Sequence, residues 1–117
     1  MKKICFIHCC IINNGLFILK ELIDRIINCG LIEHLEKINI CILGNCNQEN
    51  MNYICNYNNK INICFQDPNI KLYEYPCLIE LYKFCINQTE NIQILYIHTK
   101  GVFKPYLRGE HEWRKYM

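Results

Sequence analysis

Runs of adjacent apolar residues alternate along the chain with segments whose apolar positions recur every three or four residues. From Lys3 to Cys10 the residues are apolar, β-branched or sulfur-bearing with almost no alternation, the pattern of a strand covered on both faces. After Asn13-Asn14-Gly15, residues Leu16, Leu19, Ile23, Ile26 and Ile27 recur at helical spacing, with Glu21 and Asp24 left for the outer face and Gly30 placed to end the helix. Lys37 to Leu43 predicts a second buried strand closed by Gly44-Asn45, and Lys60 to Phe65 a third closed by Gln66-Asp67-Pro68. Between them, Gln48 to Asn56 predicts a short helix. Pro76 suits the first turn of another helix, with Leu78, Leu81, Tyr82 and Cys85 as its apolar face. Asn91 to Thr99 then predicts a fourth strand.

Strand and helix alternate throughout, so the expected fold class is α/β, with an open, doubly wound, mainly parallel sheet of about four strands in the Rossmann-like manner. No linker or repeat divides residues 1–117, which read as a single domain. The first and fourth strands, as the most continuously apolar runs, are expected at the centre of the sheet. Ligands of such sheets bind outside the carboxyl ends of the strands, where His8, Asn45, Asp67 and the run His98-Thr99-Lys100-Gly101 gather.

Composition narrows the classes. The net charge of +2 is spread without a basic stripe, so nucleic acid is not an expected partner. The 10 cysteines sit inside apolar runs and include no C-x-x-C pair, which favours reduced, mostly buried thiols over a disulfide scaffold or zinc site. The basic start Met1-Lys2-Lys3 before an apolar stretch resembles a signal peptide, but His8 interrupts it and no small-residue cleavage site follows. No apolar run is long enough for a membrane span. The expected location is cytoplasmic, and the sequon Asn87-Gln88-Thr89 is then a chance match.

Neither G-x-G-x-x-G, nor G-x-x-x-x-G-K-[ST], nor G-x-S-x-G occurs, so no common cofactor fingerprint or nucleophile elbow is present. Cysteines and His8, His34, His98 and His111 coexist, yet no local context favours one thiol as a nucleophile. The most informative segment is Ile94 to Val102, an apolar strand breaking into a cationic, hydroxyl-bearing turn. Lys100 supplies a mobile positive charge, Thr99 and His98 supply hydrogen bonds, and Gly101 lets the backbone turn or approach a ligand closely, a set suited to a phosphate or diphosphate. A solvated loop with an incidental lysine would read the same way, and these residues alone leave both open.

With Tyr96-Ile97-His98-Thr99-Lys100-Gly101, Trp113-Arg114-Lys115-Tyr116-Met117 and Tyr73-Glu74-Tyr75-Pro76-Cys77-Leu78, the chain resembles glycosyltransferase-like proteins of the A-type, nucleotide-diphospho-sugar transferase fold. The resemblance in element order covers nearly the whole chain and implies its N-terminal, nucleotide-binding half. Transferases of this fold usually carry an Asp-x-Asp motif whose carboxylates hold a divalent metal against the diphosphate. His98 and Lys100 stand at those places here. A charged lysine is no metal ligand, so the resemblance implies diphosphate binding by direct charge neutralisation, with Mg²⁺ or Mn²⁺ disfavoured and no other cofactor.

Around that turn, Trp113 is suited to stack on a sugar or base and Arg114 to clamp phosphate oxygens; the alternative is an amphipathic helix whose Trp113 packs on the domain, a reading that fits Trp113 better than Arg114. Glu74 is suited to accept a hydrogen bond from a ribose or sugar hydroxyl, or to be an ordinary helix-start carboxylate. His8 is a further binding candidate or a buried histidine satisfied by backbone, and Asp67 before Pro68 a candidate or a turn former. The expected function is transfer of a sugar from a nucleotide-diphospho-sugar to an unknown acceptor hydroxyl, completed by a second half or partner. The alternative is a non-catalytic nucleotide or sugar-phosphate binding module. Arg108 to Met117, with exposed aromatics, is the expected route to self-association or a partner.

Overall fold

The computed structural model describes residues 1–99; Lys100, Gly101, Trp113 and Arg114, with the whole stretch from Arg108 to Met117, lie outside the described residues. Strand and helix alternate as β1 (Lys2–Ile11), α1 (Gly15–Asn28), β2 (Lys37–Gly44), α2 (Gln48–Cys55), β3 (Ile61–Asp67), α3 (Tyr75–Ile86) and β4 (Ile92–His98), with 3-10 turns at Leu31–Glu33 and Ile70–Leu72. The strands form a 4-stranded sheet in the order β3-β2-β1-β4, and every pairing is parallel. This is the open, doubly wound α/β sheet that the alternation predicts. The chain steps from β1 through β2 to β3, then returns past them to place β4 on the other side of β1.

Each face of the sheet has its own helix layer. Cys5, Ile7 and Cys9 of β1 and Ile38, Ile40 and Ile42 of β2 pack against Leu19, Ile23 and Ile26 of α1 and Ile54 of α2. On the opposite face Ile4, Phe6 and Cys41 meet Cys77, Leu81 and Phe84 of α3, with the Phe6 and Phe84 rings edge-on at 5.8 Å. Residues Ile4 to Cys10 are buried without a break, because β1 has neighbours on both edges and helices on both faces. The one buried polar side chain of β2, Asn39, accepts a hydrogen bond from Asn62 Nδ2 of β3 at 3.1 Å, so its burial leaves no oxygen orphaned.

Two sequence expectations need correction. β4 is not central: among the described residues it pairs only with β1, and Gln93 and Leu95 are exposed in alternation. The second central position falls to β2, whose residues from Ile38 to Gly44 are all buried. The apolar face of α3 is also rotated from the expected one. Cys77, Leu81 and Phe84 pack inward while Leu78 and Tyr82 are exposed, because apolar residues surround this helix and its periodicity selects no single face.

Local chemistry sets the element ends. Gly30 adopts φ 84°, beyond the last turn of α1, where a left-handed residue closes a helix and glycine does so without strain. Asn47 caps α2 by accepting from the Asn50 backbone N–H at 2.8 Å. Pro76 occupies the first turn of α3, where its missing N–H costs no hydrogen bond. Gly44 ends β2 at φ 104°, and a Cβ there would lie 2.7 Å from the Ile11 carbonyl oxygen. Glycine therefore lets the carboxyl ends of β1 and β2 approach closely. All 10 cysteines are free thiols; Cys5, Cys9, Cys10, Cys41, Cys46 and Cys77 are buried. No helix among the described residues is long and apolar enough to cross a membrane.

Candidate functional site

The strand order reverses between β1 and β4, with α1 on one face and α3 on the other. In open α/β sheets the crevice outside the carboxyl ends of two such strands is the ligand position. The register puts His8 directly beside His98. The backbone N–H of Thr99 donates to the His8 carbonyl at 3.1 Å, which carries the ladder one residue past β4. The buried Thr99 hydroxyl oxygen accepts from the Cys10 N–H at 3.3 Å, leaving its hydroxyl hydrogen available to donate.

Ile4 and Phe6 of β1 and Ile94 and Tyr96 of β4 pack on the α3 side, and a polar cluster lies at the carboxyl end of this row. His98 Nδ1 lies 3.8 Å from Glu74 Oε1, the carboxylate of the residue that precedes α3. Glu74 makes no side-chain cap bond to its own helix, so its oxygens point to the cluster rather than to the first-turn N–H groups. The Tyr96 ring lies below, its centroid 6.3 Å from that of His98. His8 is 8% exposed, and its Nδ1 is buried with no hydrogen-bond partner. The Tyr96 hydroxyl is buried as well, and what interacts with it is the Glu74 carboxylate.

Electrostatics follow from this arrangement. Burial holds His8 below the ordinary imidazole pKa; Glu74 opposes that shift and His98 adds to it. His8 is therefore neutral near pH 7, with one nitrogen able to donate and the other to accept. Burial first and the Glu74 carboxylate second push the Tyr96 phenol well above its usual range, so it stays protonated and able to donate. Buried polar atoms normally find partners. An unpartnered His8 nitrogen beside a buried Tyr96 hydroxyl met only by the Glu74 carboxylate makes this crevice the place in the described structure most in need of a polar ligand.

A cavity of about 510 Å³ opens at the same corner, lined by Tyr73, Glu74, Tyr75 and Leu78, within the size range of small-molecule sites. Tyr73 is held at φ 52°, ψ −138°, a region costly for a bulky residue and most often tolerated at functional sites. The N-terminus of α3 adds a partial positive charge. Asn14 Oδ1, at the start of α1, is a further buried oxygen without a partner.

Of the residues singled out in the sequence, the structure gathers His8, Glu74, His98 and Thr99. Asp67 lies elsewhere: it ends β3, separated from β4 by β2 and β1, and its carboxylate accepts from the Asn69 N–H at 2.8 Å, a turn-forming role. Beside it a second hollow, of about 490 Å³, is lined by Gly44, Asn45, Cys46, Asn47, Gln66 and Pro68. Lys100, Gly101, Trp113 and Arg114 are outside the described residues. Sequence reasoning missed Tyr96, Tyr73 and Tyr75. Tyr96 sits in an apolar strand where its ring reads as core, and only its even position shared with His98 marks it.

No curated protein and no solved structure matches the chain. A family model described as "Domain of unknown function (DUF8361)" matches residues 16–117, which takes in α1 to β4 and, within the crevice, Glu74, Tyr96, His98 and Thr99. The chain belongs to that DUF8361 family.

Proposed function

We propose that the chain binds a nucleoside diphosphate sugar in the crevice between β1 and β4, as the donor-binding part of a glycosyl transfer to an acceptor hydroxyl. The observation that carries this reading is the cluster of His8, Glu74, Tyr96, His98 and Thr99 at the point where the strand order reverses, with an unpartnered nitrogen on buried His8. Glu74 accepts from ribose or sugar hydroxyls, while neutral His8 and the Tyr96 hydroxyl hydrogen-bond the remaining polar atoms. The diphosphate belongs beyond the strand ends, where the α3 N-terminus contributes positive potential and Lys100 follows Thr99 in the chain.

Among the described residues, no group of three or more His, Cys, Asp or Glu side chains is arranged to hold a metal. The reading neutralises the diphosphate with Lys100 and Arg114 in place of a divalent metal. Transfer itself requires an acceptor site and a base for the acceptor proton. Glu74 is the one carboxylate in the described cluster; in this reading a second half or a partner supplies the acceptor site and the base, and the alternative reading is a non-catalytic binding module.

Isothermal titration with nucleoside diphosphates and their sugars tests this reading. A charge-assisted phosphate contact is worth roughly 1.5–3 kcal/mol, so Lys100→Ala weakens binding by about tenfold or more, and EDTA changes little. Binding that requires Mn²⁺ would refute the metal-free mode but keep the site. No binding by the unmodified chain would refute the functional reading.

A further inference from the structure

We propose that Cys41 and Cys64 are an oxidisable pair that closes into an intrachain disulfide when the chain meets a peroxide. The pairing originates in an irregularity of the sheet. β2 and β3 are in register up to Ile40 and Ile63, and the next partner of Cys41 is Phe65, so Cys64 is the extra residue of a bulge. The bulge turns its side chain toward Cys41, and the two Sγ atoms lie 3.3 Å apart. Neighbouring strands run about 4.8 Å apart, inside the Cα separation of about 4.4–6.8 Å that disulfides span. Closure thus needs a small side-chain rotation without a shift of strands.

The two thiols differ as a reacting pair should. Cys41 is fully buried under α3, whereas Cys64 is partly exposed. A hydrogen bond from Cys41 lowers the Cys64 pKa, while the same bond, a second one with Cys77 and burial raise that of Cys41. Cys64, the more exposed and more acidic of the two, is the thiol that meets solvent, and Cys41 the thiol waiting behind it. The adjacent Cys9 and Cys10 make no such pair, because neighbouring strand residues face opposite sides of the sheet and these two lie in different core clusters.

The chemistry balances with hydrogen peroxide as the oxidant. Cys64 attacks one peroxide oxygen, the O–O bond breaks, and Cys64 becomes a sulfenic acid with release of water. Cys41 Sγ then attacks the Cys64 sulfur; the S–O bond breaks and hydroxide leaves with the Cys41 proton as a second water. The pair has lost two protons and two electrons, and the peroxide has taken them up to give two waters.

Peptide mapping of the intact chain after exposure to substoichiometric hydrogen peroxide decides the matter. The expected result is a linked peptide joining Cys41 to Cys64 as the main intrachain disulfide, two hydrogens lighter than the reduced pair. Cys41→Ala should leave Cys64 as a sulfenic acid trapped by a 1,3-dione probe, and Cys64→Ser should leave Cys41 reduced. If α3 cannot pack over Cys41→Ala, the unmodified chain and Cys64→Ser still decide. A Cys41–Cys77 bond in place of the expected one would overturn the proposal, as would consumption of the exposed Cys29 and Cys55 with no intrachain bond formed.

Discussion

α1 and α3 lie on opposite faces of one sheet and use their apolar residues differently. α1 buries Ile18, Leu19, Leu22, Ile23 and Ile26 and turns Lys20 outward, the division of an amphipathic helix whose partner surface is complete. α3 buries only Pro76 and Cys77 and leaves Ile79 at 51% and Tyr82 at 64% exposure. A helix apolar on all sides ordinarily has neighbours on more than one of them. The α1 face is finished core. The α3 face holds the crevice, the strained Tyr73, the unpartnered His8 nitrogen and the Cys41–Cys64 pair, and so it carries what folding alone does not explain.

The largest effect that tests this contrast is on the finished side. Leu19 is 1% exposed and packs in the cluster with Ile23, Ile40 and Ile42, so Leu19→Ala removes buried methyl groups and leaves a cavity, at about 2–5 kcal/mol. Urea unfolding measures it. A cost below 1 kcal/mol would mean that the α1 layer collapses freely and is not the rigid face described.

A smaller effect belongs to the crevice. Because His8 has a lowered pKa when folded, the unfolded chain binds its proton more readily, and stability contributed by neutral His8 is lost as pH falls. That stability is complete above the ordinary value of 6.5 and declines from there toward the lowered folded value. Glu74 opposes the loss and His98 adds to it. Unfolding midpoints between neutral and mildly acid pH should fall more steeply for the unmodified chain than for His8→Gln. Parallel curves would show that His8 is not desolvated, which would also weaken the case for a ligand beside it.

How much of this was legible beforehand varies by element. The strand cores and α1 could be read because Lys3 to Cys10 is an almost unbroken apolar run and Leu16 to Ile27 carries a single helical period. The edge position of β4 was masked by its apolar content, although Gln93 in the middle of the run is what an exposed position looks like. In α3 the period was uninformative, since Leu78 and Tyr82 are as apolar as Cys77 and Leu81. At the site, His8 and His98 could be placed at strand ends, but their adjacency depends on strand order, which local pattern does not encode. The bulge beside Cys64 has no sequence signature at all, so the thiol pair could be found only in three dimensions.

The smallest expected effect tests the open side of α3. Ile79 stands on its outer surface at 51% exposure, so replacing it with a charged residue removes little buried area and leaves no cavity. Lysine also has a better helix propensity than isoleucine by a few tenths of a kcal/mol. Ile79→Lys should therefore leave stability within about 0.5 kcal/mol of the unmodified chain, the usual range for surface substitutions. The measurement is the same urea transition used for Leu19→Ala, so the two variants share one scale. A loss of about 2 kcal/mol or more would require Ile79 to be buried in solution by something other than residues 1–99, since burying an isoleucine side chain is worth about that much. The comparison between the two helices would then have to be withdrawn, because both would be covered.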